Sequence, residues 1–349
     1  MQYRQLGRSG LRVSQLTLGT MTFGGQGQFR DVGTTDLAAA RHQIDIALEA
    51  GVNLIDTADI YSAGAAEEIL GQALSGRRDR VLVATKARFP TGGSPNDAGL
   101  SRHHLIEACE SSLRRLQTDH IDLYQLHEWD GQTPLEETLG ALDHLVRSGK
   151  VRYLGCSNFA GWQAMKALGI ARREGLPELI SQQVYLSLQE RSAEYEIVPS
   201  AIDQGLGLLI WSPLAGGLLS GRHRRGQPAP PGTRHAGEWD EPPVYDVDKL
   251  FDTVDALVEI ADGHGVSAAR VALAWLLARP AITTVIVGAR TDEQLADNLA
   301  AVTLELTPDE HARLEAVSRP PLIYPFWHQR TNAADRLGAA DLSLIGSYD

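Results

Sequence analysis

Cysteine is nearly absent from this chain, with only Cys109 and Cys156 among 349 residues. There is no C-x-x-C pair and no Cys/His cluster. Neither a disulfide framework nor a cysteine-built zinc site is expected, and both thiols read as buried and inert in a reducing compartment. Positive charge is also in short supply. Lys and Arg number 32 against 44 Asp and Glu, a formal net charge of −12, which argues against a broad surface for nucleic acid or an anionic membrane. A local basic pocket for a single phosphate is still compatible with that balance. No apolar run approaches the roughly 20 residues of a membrane-spanning helix, and residues 1–7 lack the apolar segment of a secretory signal. The expectation is a cytoplasmic protein with no nucleic-acid or membrane partner; its oligomeric state is not encoded in any pattern seen here. The turn after the first strand candidate runs from Gly19 to Gly25 without the G-x-G-x-x-G spacing of a dinucleotide-binding first turn.

A regular alternation stands against these absences. Apolar residues make up 43% of the chain and charged residues 22%, an ordinary globular mixture. Short apolar runs at 16–18 (preceded by 11–13), 52–55, 81–84, 121–126, 151–154, 180–184, 207–211 and 284–287 read as strands. Stretches with helical spacing lie between them, at 36–50, 66–74, 101–116, 135–147, 161–174, 248–264 and 267–278. Ser148-Gly149 supplies a helix stop. Eight strand-helix units in a chain of this length predict a parallel sheet closed into a (β/α)8 TIM barrel, forming one domain over residues 1–349. Two segments stand outside the pattern. A loop at about 215–247 is rich in proline and glycine and reads as a functional loop or lid. The tail from about residue 320 carries Tyr324, Phe326 and Trp327, which either cover the barrel mouth or pack on its outside.

Barrels of this kind put their chemistry where strands end. Asp56, Lys86 and His127 each follow an apolar run directly, so all three are expected to face one mouth, with Tyr61 five residues after Asp56. Taken singly, an aspartate there is more often a helix cap, a lysine a solvated rim residue, a histidine or tyrosine a packing residue. Together they suit carbonyl reduction. That reaction needs a proton donor facing the oxygen while hydride arrives at carbon, and a cation beside a phenol lowers its pKa from about 10.

In six ordered blocks the chain resembles the aldo-keto reductase family. These are Asp56-Thr-Ala-Asp-Ile-Tyr61, Ala84-Thr-Lys86, the block from Asp119 to His127, the block from Gly149 to Phe159, the block from Trp211 to Gly221, and Val285-Ile-Val-Gly-Ala-Arg290. The resemblance implies an NADP-dependent oxidoreductase acting on aldehydes or ketones, with Tyr61 as general acid, Lys86 and Asp56 tuning it, and His127 orienting the carbonyl. It implies that Ser157, Asn158 and Gln183 hold the nicotinamide carboxamide, that Trp211 stacks on the ring, and that Gly19, Thr20 and Met21 line the same pocket. Ser212, Pro213, Leu214, Gly216 and Leu218 would take the pyrophosphate. Gly288, Arg290, Gln294 and Asn298 would take the adenosine end with its 2′-phosphate, and Arg222 and Arg234 would clamp the cofactor from above.

Phe23, Trp129 and Trp327 are candidates for an aromatic substrate pocket. A metal-dependent hydrolase is disfavoured: the first strand ends in Gly-Thr-Met rather than His-x-His, and the adjacent His103 and His104 cannot both face one ion, so no metal is expected. Some barrels of this family serve instead as cofactor-sensing channel subunits, in which the histidine corresponding to His127 is often replaced. Its presence here favours an enzyme.

Overall fold

Strands buried on both faces build this protein around a closed barrel. The computed structural model describes residues 1–30, 32–231, 233–236 and 241–348. An antiparallel hairpin comes first, β1 (Tyr3–Gln5) and β2 (Arg12–Ser14). The barrel strands follow: β3 (Leu16–Gly19), β4 (Leu54–Asp56), β5 (Leu82–Ala87), β6 (Ile121–Leu126), β7 (Val151–Ser157), β8 (Leu179–Tyr185), β9 (Gly207–Trp211) and β10 (Ile282–Val287). Each pairs in parallel with its sequence neighbour, and β10 closes on β3. This is the (β/α)8 barrel that the alternation predicts.

Helices wrap the outside. They are α1 (Leu37–Glu49), α2 (Ala65–Ala73), α3 (Arg102–Leu116), α4 (Leu135–Arg147), α5 (Gly161–Glu174), α6 (Ala193–Gln204), α7 (Val247–His264), α8 (Ala268–Leu277), α9 (Asp292–Leu299) and α10 (Pro308–Ser318), then α11 (Phe326–Asn332) and α12 (Ala339–Ile345) in the tail. Local chemistry sets their starts. The side chains of Asp36 and Ser101 accept from the amides of Ala39 and His104, satisfying donors that the first turn leaves open. No helix among the described residues is long and apolar enough to cross a membrane.

The barrel interior explains where the site lies. Leu54, Ala84, Leu123, Leu209 and Ile286 form a buried apolar layer, and Leu6 and Val13 of the hairpin join it. The hairpin thus plugs the end where the strands begin. Gly7 shows how tightly: a Cβ there would lie 2.1 Å from the Ile180 carbonyl oxygen. Two residues farther along four of these strands come Asp56, Lys86, Gln125 and Trp211, on the same inward face. The interior therefore turns polar at the end where the strands finish.

Three features differ from the sequence expectations. Lys86 and Ser157 lie within their strands rather than beyond them. Helix α6 is absent from the expected pattern because Pro199 interrupts it, and an interior proline normally stops a helix. The tail is not without helix: α12 packs on α6, and the Tyr195 ring stacks on Phe326 at 5.7 Å. Of the two placements expected for the tail, the one on the outside of the barrel holds for this contact.

Candidate active site

Asp56 is the hub of the polar layer. Its Oδ1 accepts from Gln183 Nε2 at 2.8 Å and from Gln125 Nε2 at 3.3 Å, and its Oδ2 lies 2.7 Å from Lys86 Nζ. Lys86 is fully buried, Asp56 nearly so. A lysine buried in this way needs all three of its donors answered. Nζ donates to Asp56 Oδ2, to the Thr57 carbonyl at 2.8 Å and to the Tyr61 hydroxyl at 3.3 Å. Two of these acceptors fix the ammonium, so the third bond is aimed at the phenol.

The backbone holds the phenol in place. Directly after Tyr61, Ser62, Ala63 and Gly64 adopt φ of 50°, 55° and 94°, the left-handed region that costs non-glycine residues roughly 1–2 kcal/mol each. Ser62 Oγ anchors the turn by donating to the Phe23 carbonyl and accepting from the Gly25 amide. Strain of this kind persists only where neighbours over-determine the chain.

Aromatic rings surround the hydroxyl. Phe29 meets the Tyr61 ring edge-on at 5.4 Å, His127 at 6.0 Å, and Phe89 meets His127 at 4.8 Å. His127 is buried, and its Nδ1 has no partner among the described residues. Burial, together with the charges of Lys86 and Arg88, holds its pKa well below the usual imidazole value, so the ring is neutral at pH 7. For Tyr61 the outcome corrects the simple expectation. Burial raises its pKa above 10, and the lowering by Lys86 does not overcome that. The lysine keeps the phenol from rising further, and Tyr61 remains a protonated donor at neutral pH. Burial depresses Lys86 in turn, but Asp56 and Tyr61 more than offset it and its pKa is raised.

The other candidate residues fall into two groups. In the first, Asn158, Trp211 and Gln183 ring the same mouth. Asn158, at φ 57°, donates to the His127 carbonyl at 3.2 Å and accepts from Trp211 Nε1 at 2.9 Å. The Trp211 ring leans on Tyr185 at 5.0 Å. Gln183 reaches Asp56, whereas Gln182 turns away to the Phe159 carbonyl. Ser157 pairs in register with Gln183, Thr20 Oγ1 donates to the Asp56 carbonyl at 3.1 Å, and Met21 is half-buried beside it. Gly19 is in close contact with β10, since a Cβ there would lie 2.8 Å from Ile286 Cγ2.

The second group lies past β9 and β10. The segment from Ser212 to Leu218, which includes Pro213 and Leu214, folds on itself: Ala215, Gly216 and Gly217 donate their amides to Ser212 O, Ser212 Oγ and Leu214 O. Those three amides are engaged within the loop, unlike the free cradle expected. His235 Nε2 would lie 2.8 Å from a Cβ on Gly216, so the described part of the proline-rich segment docks here; its residues 232 and 237–240 lie outside the described set. Burial and the nearby charge of Arg290 push Arg234 down to about 10, while Arg222 stays exposed. Gln294 accepts from the Arg290 amide at 3.0 Å, and Asn298 donates to the carbonyl of the exposed Gly288 at 3.4 Å.

The three substrate candidates separate. Phe23 is fully buried in the core, so its ring has no face open to a ligand; it supports the β3–α1 loop instead. Trp129 is half-buried against Phe159 and Trp162, at 5.3 and 5.4 Å. Trp327 is 49% exposed, and its ring contacts among the described residues are Tyr324 and His328 of its own tail. Sequence reasoning missed Phe29, Phe89 and Arg88. The signal for Arg88 was available: Leu82, Ala84 and Lys86 face inward on β5, and position 88 continues that row.

Asp59, in the same stretch as Asp56 and Tyr61, carries a different consequence. Both its carboxyl oxygens are buried without partners among the described residues. Burial first, and then Glu67, raise its pKa well above 3.8. A carboxyl that holds its proton more tightly when folded makes stability fall as pH rises from the unfolded value, about 3.9, through the native one. Asp59→Asn removes that titration. Its melting temperature relative to the parent protein should therefore climb between pH 4 and pH 8 in a thermal denaturation series. A difference independent of pH would show that Asp59 is ionised when folded.

Comparisons with known proteins place the whole barrel in one family. The aldo/keto reductase family profile matches residues 15–319. An uncharacterized oxidoreductase, YrpG, of Bacillus subtilis (strain 168) is 44% identical over 317 residues, covering 88% of this chain and 92% of its own. A probable voltage-gated potassium channel subunit beta of Oryza sativa subsp. japonica is 39% identical over 326 residues, 91% of this chain and 96% of its own. The versiconal hemiacetal acetate reductase of Aspergillus parasiticus is 36% identical over 348 residues, covering 93% of this chain and 99% of its own. The match spans the barrel and every strand end described above, and the chain belongs to the aldo/keto reductase family of oxidoreductases.

Proposed function

We propose that this protein reduces the carbonyl group of a small aldehyde or ketone with NADPH, with Tyr61 as the proton donor. The observation that carries this reading is the three-way anchoring of Lys86 Nζ, which leaves one ammonium proton aimed at the Tyr61 hydroxyl. A carbonyl oxygen set against that hydroxyl accepts its proton as negative charge develops, and Lys86 stabilises the phenolate left behind. Neutral His127, on the other side of the Tyr61 ring, orients the same oxygen. Phe29 and Phe89 keep water from the oxygen, and the ring of Trp129 is proposed to line the route by which substrate enters, with Trp327 at its rim.

The donor set suits NADP(H). Trp211 offers an aromatic face beside Asn158, Gln183 and Ser157 for the nicotinamide, with Gly19, Thr20 and Met21 on its other flank. Arg234 and Arg290 lie close enough for their charges to repel, an arrangement that a phosphate dianion relieves. The remaining amides of the loop from Ser212 to Leu218 would hold the pyrophosphate, and Arg222 would close over it. When bound, the reduced nicotinamide supplies the hydride that adds to the carbonyl carbon.

Loss of NADPH absorbance with a panel of aldehydes, ketones and sugars tests the activity. Tight NADPH binding without turnover of any of them would favour a cofactor-sensing subunit instead. Arg290→Ala should weaken NADPH by roughly 10- to 100-fold, the worth of a charge-assisted phosphate contact, and leave NADH little changed, as read by fluorescence titration. Equal losses for the two cofactors would remove the 2′-phosphate from this pocket.

A further inference from the structure

Arg88 is a cation at the mouth that the proposed reduction does not use. Leu82, Ala84 and Lys86 alternate along the inward face of β5, and Arg88 occupies the next inward position beyond the strand end, above Lys86. Its guanidinium carbon lies 5.4 Å from the centre of the Phe89 ring. Phe89 meets one side of His127 and Tyr61 another, so the cation sits one ring away from the imidazole that faces the reacting oxygen. Nε of Arg88 is buried with no hydrogen-bond partner among the described residues. The nearby carboxylate of Glu128 does not answer Nε; its Oε1 accepts from the Trp129 amide at 2.9 Å. Arg88 also electrostatically lowers the pKa of both His127 and Glu128, so its charge reaches the site. A guanidinium held on an aromatic shelf with an unanswered donor matches the planar, two-oxygen geometry of a carboxylate.

We propose that Arg88 determines specificity, and that the preferred substrates are carbonyl compounds bearing a carboxylate on the side of the molecule away from Tyr61. This inference rests on the carbonyl-reducing reading of the site. Substrate would enter with its carbonyl oxygen between Tyr61 and His127 and its carboxylate against Arg88, over the ring of Phe89. The chemistry at the carbonyl is unchanged: hydride goes to carbon and the Tyr61 proton to oxygen, while the carboxylate only binds.

The test compares 4-carboxybenzaldehyde with methyl 4-formylbenzoate, which differ at the charged group and share the reacting one. The parent protein should show a KM at least tenfold lower for the acid. Arg88→Gln should raise KM for the acid by roughly 10- to 100-fold, at least tenfold more than for the ester, with Arg88→Lys recovering part of the loss because charge returns without the fork. Equal effects of Arg88→Gln on the two aldehydes, or a parent protein that prefers the ester, would overturn the proposal while leaving carbonyl reduction standing. Benzoate binding, followed by intrinsic tryptophan fluorescence, separates the two ideas if neither aldehyde is reduced. Binding that Arg88→Gln abolishes then supports the anion site on its own, and binding insensitive to Arg88→Gln, or none, sinks it.

Discussion

Tyr61→Phe is expected to lower kcat for carbonyl reduction by about 10²- to 10⁴-fold, the range of a positioned general acid, with NADPH affinity nearly unchanged. The substitution removes one oxygen and keeps the ring. The edge contacts with Phe29 and His127 at 5.4 and 6.0 Å remain, as do the bonds of Lys86 to Asp56 and Thr57. What disappears is the proton donor and the third acceptor of the ammonium. The pH profile of the parent protein should carry the same signature. His127 titrates well below 6.5 and Tyr61 above 10, so neither changes charge between those limits. Reduction requires the protonated phenol, and the rate should therefore stay level through neutral pH and fall only as pH rises through the raised Tyr61 value. Steady-state NADPH consumption measures it, with a level rate expected from pH 7 to pH 10 and the fall only above pH 10. A Tyr61→Phe variant within tenfold of the parent kcat would remove Tyr61 from the reaction.

Much of this arrangement was legible because strands buried on both faces read as short continuous apolar runs. Apolar runs marked the eight strands, and the first polar residue after each run marked the mouth. Asp56, Lys86 and His127 are found together for that reason, Tyr61 comes with them five residues after Asp56, and the family resemblance added their roles. Two kinds of information were not local. The direction of the Tyr61 pKa depends on its burial, with Phe29 against its own ring and Phe89 against His127 beside it, and both phenylalanines come from loops whose folding no periodicity predicts. Phe23 and Phe29 are six residues apart in one such loop. The chain turns there through left-handed glycines at 24, 25 and 27, sending one ring to the core and the other to Tyr61. Helix α6 escaped for the opposite reason: a local rule about proline was overridden by packing between the barrel and the tail.

The largest stability effect should come from Lys86→Met. Asp56 and Lys86 are both buried and 2.7 Å apart. Removing the cation leaves a carboxylate in a low-dielectric layer with the two glutamine amides as its donors among the described residues, a change that costs about 3–5 kcal/mol when a buried pair is broken. The carboxylate relieves part of this by taking up a proton, so the loss should shrink as pH is lowered toward 4. Replacing both partners, Asp56→Asn with Lys86→Met, removes both charges while keeping an oxygen for Gln183 Nε2, and much of the lost stability should return. The rate should not return with it. Tyr61 in the double variant has no ammonium to hold the phenolate, and kcat should stay at least about 100-fold below the parent. Urea denaturation and NADPH consumption on the parent and the two variants therefore divide the pair into a structural part, which a neutral couple replaces, and an electrostatic part, which it cannot. Recovery of both stability and rate in the double variant would mean that the ion pair serves the barrel alone, and that the proton transfer assigned to Tyr61 proceeds without it.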